Sequence, residues 1–305
     1  MNIASPVFEK RSISLLLPLL LVCSLLLGSS PAHAAETTTT PEESLAMTPA
    51  IQRLEIKAGE TVDRTMTVIN DGKVAYKFIV YARPYSVKNE QYDPQFETTL
   101  ENTDVYQWVQ FEKVSYTLQP GERIDVPYHM KVPANAAPGG HYGVIFAETQ
   151  PDASTATSVL RKKRVGGLLL ANVDGKVVRS GALLSANAPF WQSAPPLTIN
   201  DRVKNTGNTD FQASVSTSVE DMFGSVKHSE TKNYTVYPGT IRKIPVTWDN
   251  SPWFGLFKYK QSVSIVGNVT NTSHYVLLAP KWLVLLLIIA VVVGAGYGLL
   301  RYKRR

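Results

Sequence analysis

The sequence predicts an all-β extracellular segment between two apolar ends, on three observations. Apolar and polar residues alternate in short runs, as in Ile124, Val126, Tyr128, Met130 and Val132 with Arg123, Asp125, Pro127, His129 and Lys131 between them, the pattern of a half-buried strand. Turn residues punctuate those runs at short intervals, and none of the long 3.6-period segments of helices intervenes. Finally, the order of strands and turns around Thr117–Glu148 recurs about 120 residues later.

The ends come off first. Lys10 and Arg11 precede an apolar run from Leu15 to Leu27 and an Ala32-His33-Ala34 site, so residues 1–34 read as a signal peptide cut after Ala34. Cys23 is the one cysteine in the chain and leaves with that peptide. The mature protein therefore has no disulfide and no thiolate metal ligand, which points to a bacterial surface more than an animal one. At the other end, residues 282–300 are apolar and uncharged, and at about 1.5 Å each they span roughly 28 Å, close to a hydrocarbon core. Trp282 and Tyr297 suit the two interfaces. Arg301, Lys303, Arg304 and Arg305 form a basic tail, placed in the cytoplasm by the positive-inside rule, with the bulk of the chain outside the plasma membrane.

The formal charge of +6 arises in those ends, which hold seven of the 31 basic and one of the 25 acidic groups. The segment between them is neutral, and nucleic acid is not an expected partner.

In order, residues 35–46 read as a disordered, Thr-rich lead. A first domain covers 47–182. Leu54 and Ile56 form a strand, Ala58-Gly59-Glu60 a turn, and Val62, Met66 and Val68 one face of the next strand. Asn70-Asp71-Gly72 is a hairpin signal that predicts pairing of the 62–69 and 75–82 strands. Aromatics then accumulate: Trp108 and Phe111 read as core, whereas Tyr85, Tyr92 and Phe96 are candidate ligand contacts on a loop, able to stack on sugars. Pro120-Gly121 turns the chain into the strand described above, and Pro133, Pro138, Gly139 and Gly140 form an elbow before Tyr142, Val144 and Phe146. Arg161, Lys162, Lys163 and Arg164 form a basic run, a candidate contact for anionic polymers or a solvated strand edge. Two apolar runs about Asp174-Gly175 suggest another hairpin.

The second domain covers 183–279, ahead of a membrane helix at 280–300 and the tail at 301–305. Asn205-Thr206-Gly207-Asn208 parallels Asn70-Asp71-Gly72, and Tyr237-Pro238-Gly239 before Ile244, Val246 and Trp248 parallels the Pro120 turn and its strand. Two copies of about seven short strands, each closed into two layers, make two immunoglobulin-like β-sandwiches.

Enzymatic chemistry is not expected. His129, His141, His228 and His274 are scattered, with none of the paired spacings of metal ligands, and no nucleophile elbow, phosphate loop or calcium loop occurs. No catalytic residue, metal site or cofactor is assigned. Gly294 and Gly298 would permit close pairing of membrane helices.

Leu118-Gln119-Pro120-Gly121 and the stretch Pro133 to Gly143, with Arg164-Val165-Gly166-Gly167, Asn205-Thr206-Gly207-Asn208 and Phe254-Gly255, resemble the WxL-interacting proteins over residues 45–278. That resemblance implies peptidoglycan binding by the first domain and protein-partner binding by the second, with no binding residue carried over. The leading expectation is thus a non-catalytic cell-surface binding or scaffolding protein, with peptidoglycan or surface proteins as partners. The alternative is a chaperone-like assembly factor that lends a sheet edge to secreted surface proteins.

Overall fold

The computed structural model describes residues 44–150 and 162–303, apart from the side chains of residues 298, 300 and 303. The signal peptide, most of the Thr-rich lead, Arg161, Arg304 and Arg305 lie outside the described residues. What is described is all-β with a C-terminal helix, and the strands build two sandwiches in sequence.

In the first sandwich, one sheet has β1 (Ala46–Thr48), β3 (Thr61–Ile69), β9 (Arg123–Lys131) and β7 (Val109–Phe111) in that order. The other has β2 (Ile51–Ile56), β11 (Arg164–Val173), β10 (Gly139–Gln150), β4 (Tyr76–Pro84) and β8 (Ser115–Leu118). The alternation in β9 has its expected consequence: Val126, Tyr128 and Met130 are buried between the sheets with Met66, Leu54 and Leu169. Trp108, at the end of the one-turn helix α1 (Val105–Trp108), is core as expected. Leu45 also packs on this core, so the end of the lead belongs to the domain.

The second sandwich has one sheet of β12 (Gly181–Asn187), β14 (Leu197–Asn205) and β17 (Ile241–Trp248). Its other sheet runs β13 (Trp191–Gln192), β19 (Asn268–Leu278), β18 (Gly255–Ile265), β15 (Phe211–Glu220) and β16 (Val226–Val236). The first-sandwich strand β4 leads into a small hairpin of β5 (Ser86–Lys88) and β6 (Asp93–Gln95). Helix α2 (Lys281–Lys303) ends the described chain. Among the described residues no helix is long and apolar enough to cross a membrane.

The structure corrects two expected hairpins. Strands β3 and β4 do not pair with each other, because β3 lies between β1 and β9 and β4 between β10 and β8. Asn70 is therefore a corner between layers. Its buried side chain holds that corner: Nδ2 donates to the Val74 and Leu118 carbonyls (2.9 and 3.4 Å), and Oδ1 accepts from Gly72 N (3.0 Å). Asn205 repeats the arrangement, with Nδ2 donating to Thr209 O and Val236 O (2.8 and 2.7 Å) and Oδ1 accepting from Gly207 N (2.8 Å). Each asparagine also donates its own N–H, at 3.0 Å, to the residue after the Pro-Gly turn, Glu122 O or Thr240 O. Gly121 and Gly239 take φ of 75° and 71° in those turns, which glycine adopts without steric cost. The two modules thus share their internal wiring as well as their strand pattern.

The second correction concerns Val165–Val178. Only its first run, to Val173, is a strand, β11, paired with β10 and β2. The chain from Asp174 onward connects the sandwiches, and β12 joins the second one at Gly181.

Candidate functional site

The loop from Tyr85 to Phe96 is an arm that grips the second sandwich. Tyr85 is buried, Tyr92 half-buried, and Phe96 packs between Tyr85 and Phe146 at 6.1 and 5.0 Å. What they enclose is Tyr237, from the Tyr-Pro-Gly turn of the second sandwich. Its ring stacks on Tyr92 at 5.8 Å and meets Tyr85 and Tyr142 edge-on at 5.5 and 4.9 Å, distances at which aromatic pairs attract. Tyr92 Oη accepts from Tyr237 N (3.0 Å) and bonds Thr240 Oγ1 at 2.5 Å, while Arg242 lies 4.4 Å from the Tyr92 ring centre. Burial raises the Tyr92, Tyr142 and Tyr237 hydroxyls above the ordinary phenol range.

Polar contacts complete the junction. Glu90, at the tip of the β5–β6 hairpin, accepts from Nε and Nη2 of Arg202 with its two carboxylate oxygens, and its carbonyl accepts from Lys243 N at 2.7 Å. The hydrogen bond from Arg202 holds the Glu90 carboxyl below its usual range. Across the connection, Asn208 O accepts from Gly140 N (2.8 Å), and Asn208 Nδ2 donates to Pro138 O and Lys176 O (3.0 and 2.9 Å). Arg53 pairs with Asp210 at 2.7 Å, and Asp210 N donates to Tyr142 Oη at 2.9 Å.

The expectation that Tyr85, Tyr92 and Phe96 form an exposed ligand surface is corrected accordingly. The rings of Tyr85 and Tyr92 meet Tyr237 of the protein's own second domain, and Phe96 packs behind them on Tyr85 and Phe146. Composition exposes the cluster but not its partner, because Tyr237 lies about 140 residues away and reads from sequence as a plain turn residue.

The basic run divides. Arg161 lies outside the described residues; Lys162 is exposed and pairs with Glu148 at 3.3 Å. Lys163 exchanges bonds with Thr149, and the Arg164 guanidinium lies 4.3 Å from the Phe146 ring centre. These contacts belong to the start of β11 rather than to a free cationic patch.

That start is paired on one side only. β2 pairs with β11 only from Leu168 to Val173, so among the described residues no strand pairs with the outer side of 164–167. Leu168 N donates outward to Ala50 O (2.9 Å), and since strand N–H groups alternate in direction, those of Gly166 and Arg164 face outward too. A Cβ on Gly166 would lie 2.7 Å from the Phe146 ring, and one on Gly167 2.0 Å from Met66 Cε. The neighbours' side chains cover both faces there, and the edge itself offers backbone. Three edges of the second sandwich are blunted: β16 carries Lys227, Glu230 and Lys232, β17 carries Pro245 and receives the Glu90 arm, and β12 is bulged between Leu183 and Ser185.

His129 bridges Asp63 (2.6 Å) and Glu112 (3.0 Å) on the surface, and those bonds raise its pKa. His141 is buried, with Nδ1 on Asp104 at 2.6 Å and Nε2 donating to Ala137 O at 2.8 Å. Both are held as isolated histidines, and among the described residues no group of metal-ligating side chains converges.

No protein-family model matches the chain, and no curated protein matches it. Several solved structures are similar. The class 5 fimbriae chaperone CfaA is 13% identical, covering 78% of this chain and all of its own, at a TM-score of 0.40. The CsuC–CsuE chaperone–tip adhesion subunit complex of Acinetobacter baumannii gives 11%, 75% and 97% at 0.38, and the Pseudomonas aeruginosa CupB2 chaperone 12%, 75% and 99% at 0.36. Most of the similar structures named are fimbrial chaperones, alone or in complex, and the others include a PapD-like domain of human CEP192; none is named as a surface-binding module, and the leading expectation of a cell-surface binding or scaffolding protein is corrected.

Proposed function

We propose that this chain is a non-catalytic assembly factor of chaperone type, attached to the plasma membrane by α2, that holds an extended segment of a secreted or surface protein against the outer side of β11. The observation that carries this reading is the one-sided pairing of 164–167, where β11 bonds β10 on its inner side and no strand among the described residues on its outer side. An added strand would satisfy the outward groups of Arg164 and Gly166, gaining affinity from main-chain hydrogen bonds and little from side chains. Such recognition suits a client captured for its extended conformation. The attachment is supported by the uncharged run 282–300 and the basic residues after it, which orient the sandwiches outward.

The test is capture by crosslinking on intact cells with two variants. Arg164→Pro removes the outward N–H at 164 and should abolish adducts with secreted proteins. Arg164→Ala removes the same side chain but keeps the N–H, and should preserve them. Undiminished adducts with Arg164→Pro would refute the reading.

A further inference from the structure

The second sandwich has two unlike ends. One, formed by Asn205–Asn208 and Tyr237–Gly239, lies in the junction with the first sandwich. The other is where the chain leaves for α2, and strand register identifies what shares it. Gly255 pairs with Leu278, Glu220 with Lys258, Leu197 with Trp248 and Trp191 with Leu277. The turn after β15, the loop before β18 and strand β13 therefore all sit at the exit end.

These connections carry apolar tips facing solvent. Phe223 is 95% and Phe254 71% exposed, and Phe190, Met222, Trp253 and Trp191 are also exposed. A single exposed aromatic means little, whereas a group drawn from three separate connections at one end marks a contact surface. Folding does not require them there, since none lies in the sandwich core. Trp191 is moreover tied to the exit, its Nε1 donating to Ala279 O at 2.9 Å.

We infer that this end is a membrane-contact surface whose loop-tip aromatics enter the headgroup zone of the lipid bilayer. The inference rests on the reading of α2 as the membrane anchor. Chain continuity selects the occupant: α2 begins at Lys281, and three residues beyond Leu278 reach at most about 10 Å. An inserted α2 thus brings the ring of tips to the lipid surface, where Trp and Phe are favoured. The sandwich is then seated on the bilayer instead of swinging from a tether.

The test uses the full chain carrying Cys23→Ser, reconstituted in phosphatidylcholine–phosphatidylglycerol vesicles. An environment-sensitive dye is placed in separate chains at Phe223→Cys, Phe254→Cys, Ile288→Cys and Asn268→Cys. Nitroxide lipids labelled at the headgroup or deep in the acyl chain quench the dyes by depth. The expected result is headgroup quenching at 223 and 254, deep quenching at 288 and none at 268, at the junction end. Quenching at 288 without 223 and 254 overturns the seated surface and leaves the anchor; a protein-occupied surface would give this outcome. No quenching at 288 overturns the anchor, and with it the inference.

Discussion

Asp201 should make the second sandwich more stable in acid than at neutral pH, and Asp201→Asn should remove the difference. The residue lies on β14, fully buried and facing the opposite sheet, where its Oδ2 accepts from Gln261 Nε2. Its Oδ1 and the Gln261 Oε1 have no hydrogen-bond partner among the described residues. Burial pushes the carboxyl up to about 6 from 3.8. The folded value exceeds the unfolded one, so stability is greatest below the unfolded value and declines as pH rises through about 6. At about 1.36 kcal/mol per pH unit, the loss approaches ~3 kcal/mol by neutral pH. Asparagine stays neutral, and its amide can donate to Gln261 Oε1, which an ionised carboxylate cannot do. Asp201→Asn should therefore gain about 1–3 kcal/mol at pH 7.5 and lose the acid-side slope. Urea titration of the full chain in mild detergent, read by hydrogen exchange of β14 and β18 peptides, resolves this domain from the first. A variant no more stable than the parent at pH 7.5, or one with the same slope between pH 4 and 7, would refute the reasoning.

The two corner asparagines should be matched in cost: Asn70→Ala and Asn205→Ala each strand three backbone groups, two of them buried, and should lose about 2–6 kcal/mol, at ~1–3 per buried group, in the urea transition of their own sandwich. Tyr237→Ala should free the junction, speeding hydrogen exchange at 85–96 and 205–210 while the strand cores of both sandwiches stay protected, whereas Glu90→Ala, a partly exposed pair, should cost under about 1 kcal/mol. His141 should favour acid as well. Burial opposes its charge, but the bonds to Asp104 and Ala137 O outweigh that and raise its pKa. Its stabilisation is complete below the unfolded value of ~6.5 and lost as pH rises through the raised folded value, and Asp104→Asn should lower the His141 pKa seen by NMR titration.

Strand faces were legible in the sequence because alternation is a property of one strand read alone. Val126, Tyr128 and Met130 point inward as their spacing requires. Partners were not legible, since Asn70-Asp71-Gly72 has the same composition whether the next strand returns beside the first or crosses to the other layer. What decides it is Leu118, whose carbonyl 48 residues away receives the Asn70 amide. The aromatic loop failed as a ligand site for a related reason. An aromatic cluster announces that a surface will be covered, and sequence alone does not say whether the cover is a ligand or another part of the same chain. The open edge at 164–167 left no mark beyond Gly166-Gly167, because an unpaired strand side is an absence of neighbours and only topology displays it.

The aromatic junction acquires its use from the distance it preserves. β18 runs the length of the second sandwich, from the exit end at Gly255 to the junction end at Ile265, and its 11 residues at about 3.3 Å each span roughly 35 Å. With the exit end at the bilayer, the junction end of the second sandwich stands about that far from the lipid. A flexible joint would let the edge sweep back towards the surface. Three tyrosines around Tyr237, the Glu90–Arg202 pair and the Asn208 bonds oppose that motion from separate sides of the connection. On the proposed function, the residues that looked like a site for catching a partner instead fix the orientation of the sandwich that carries the open edge.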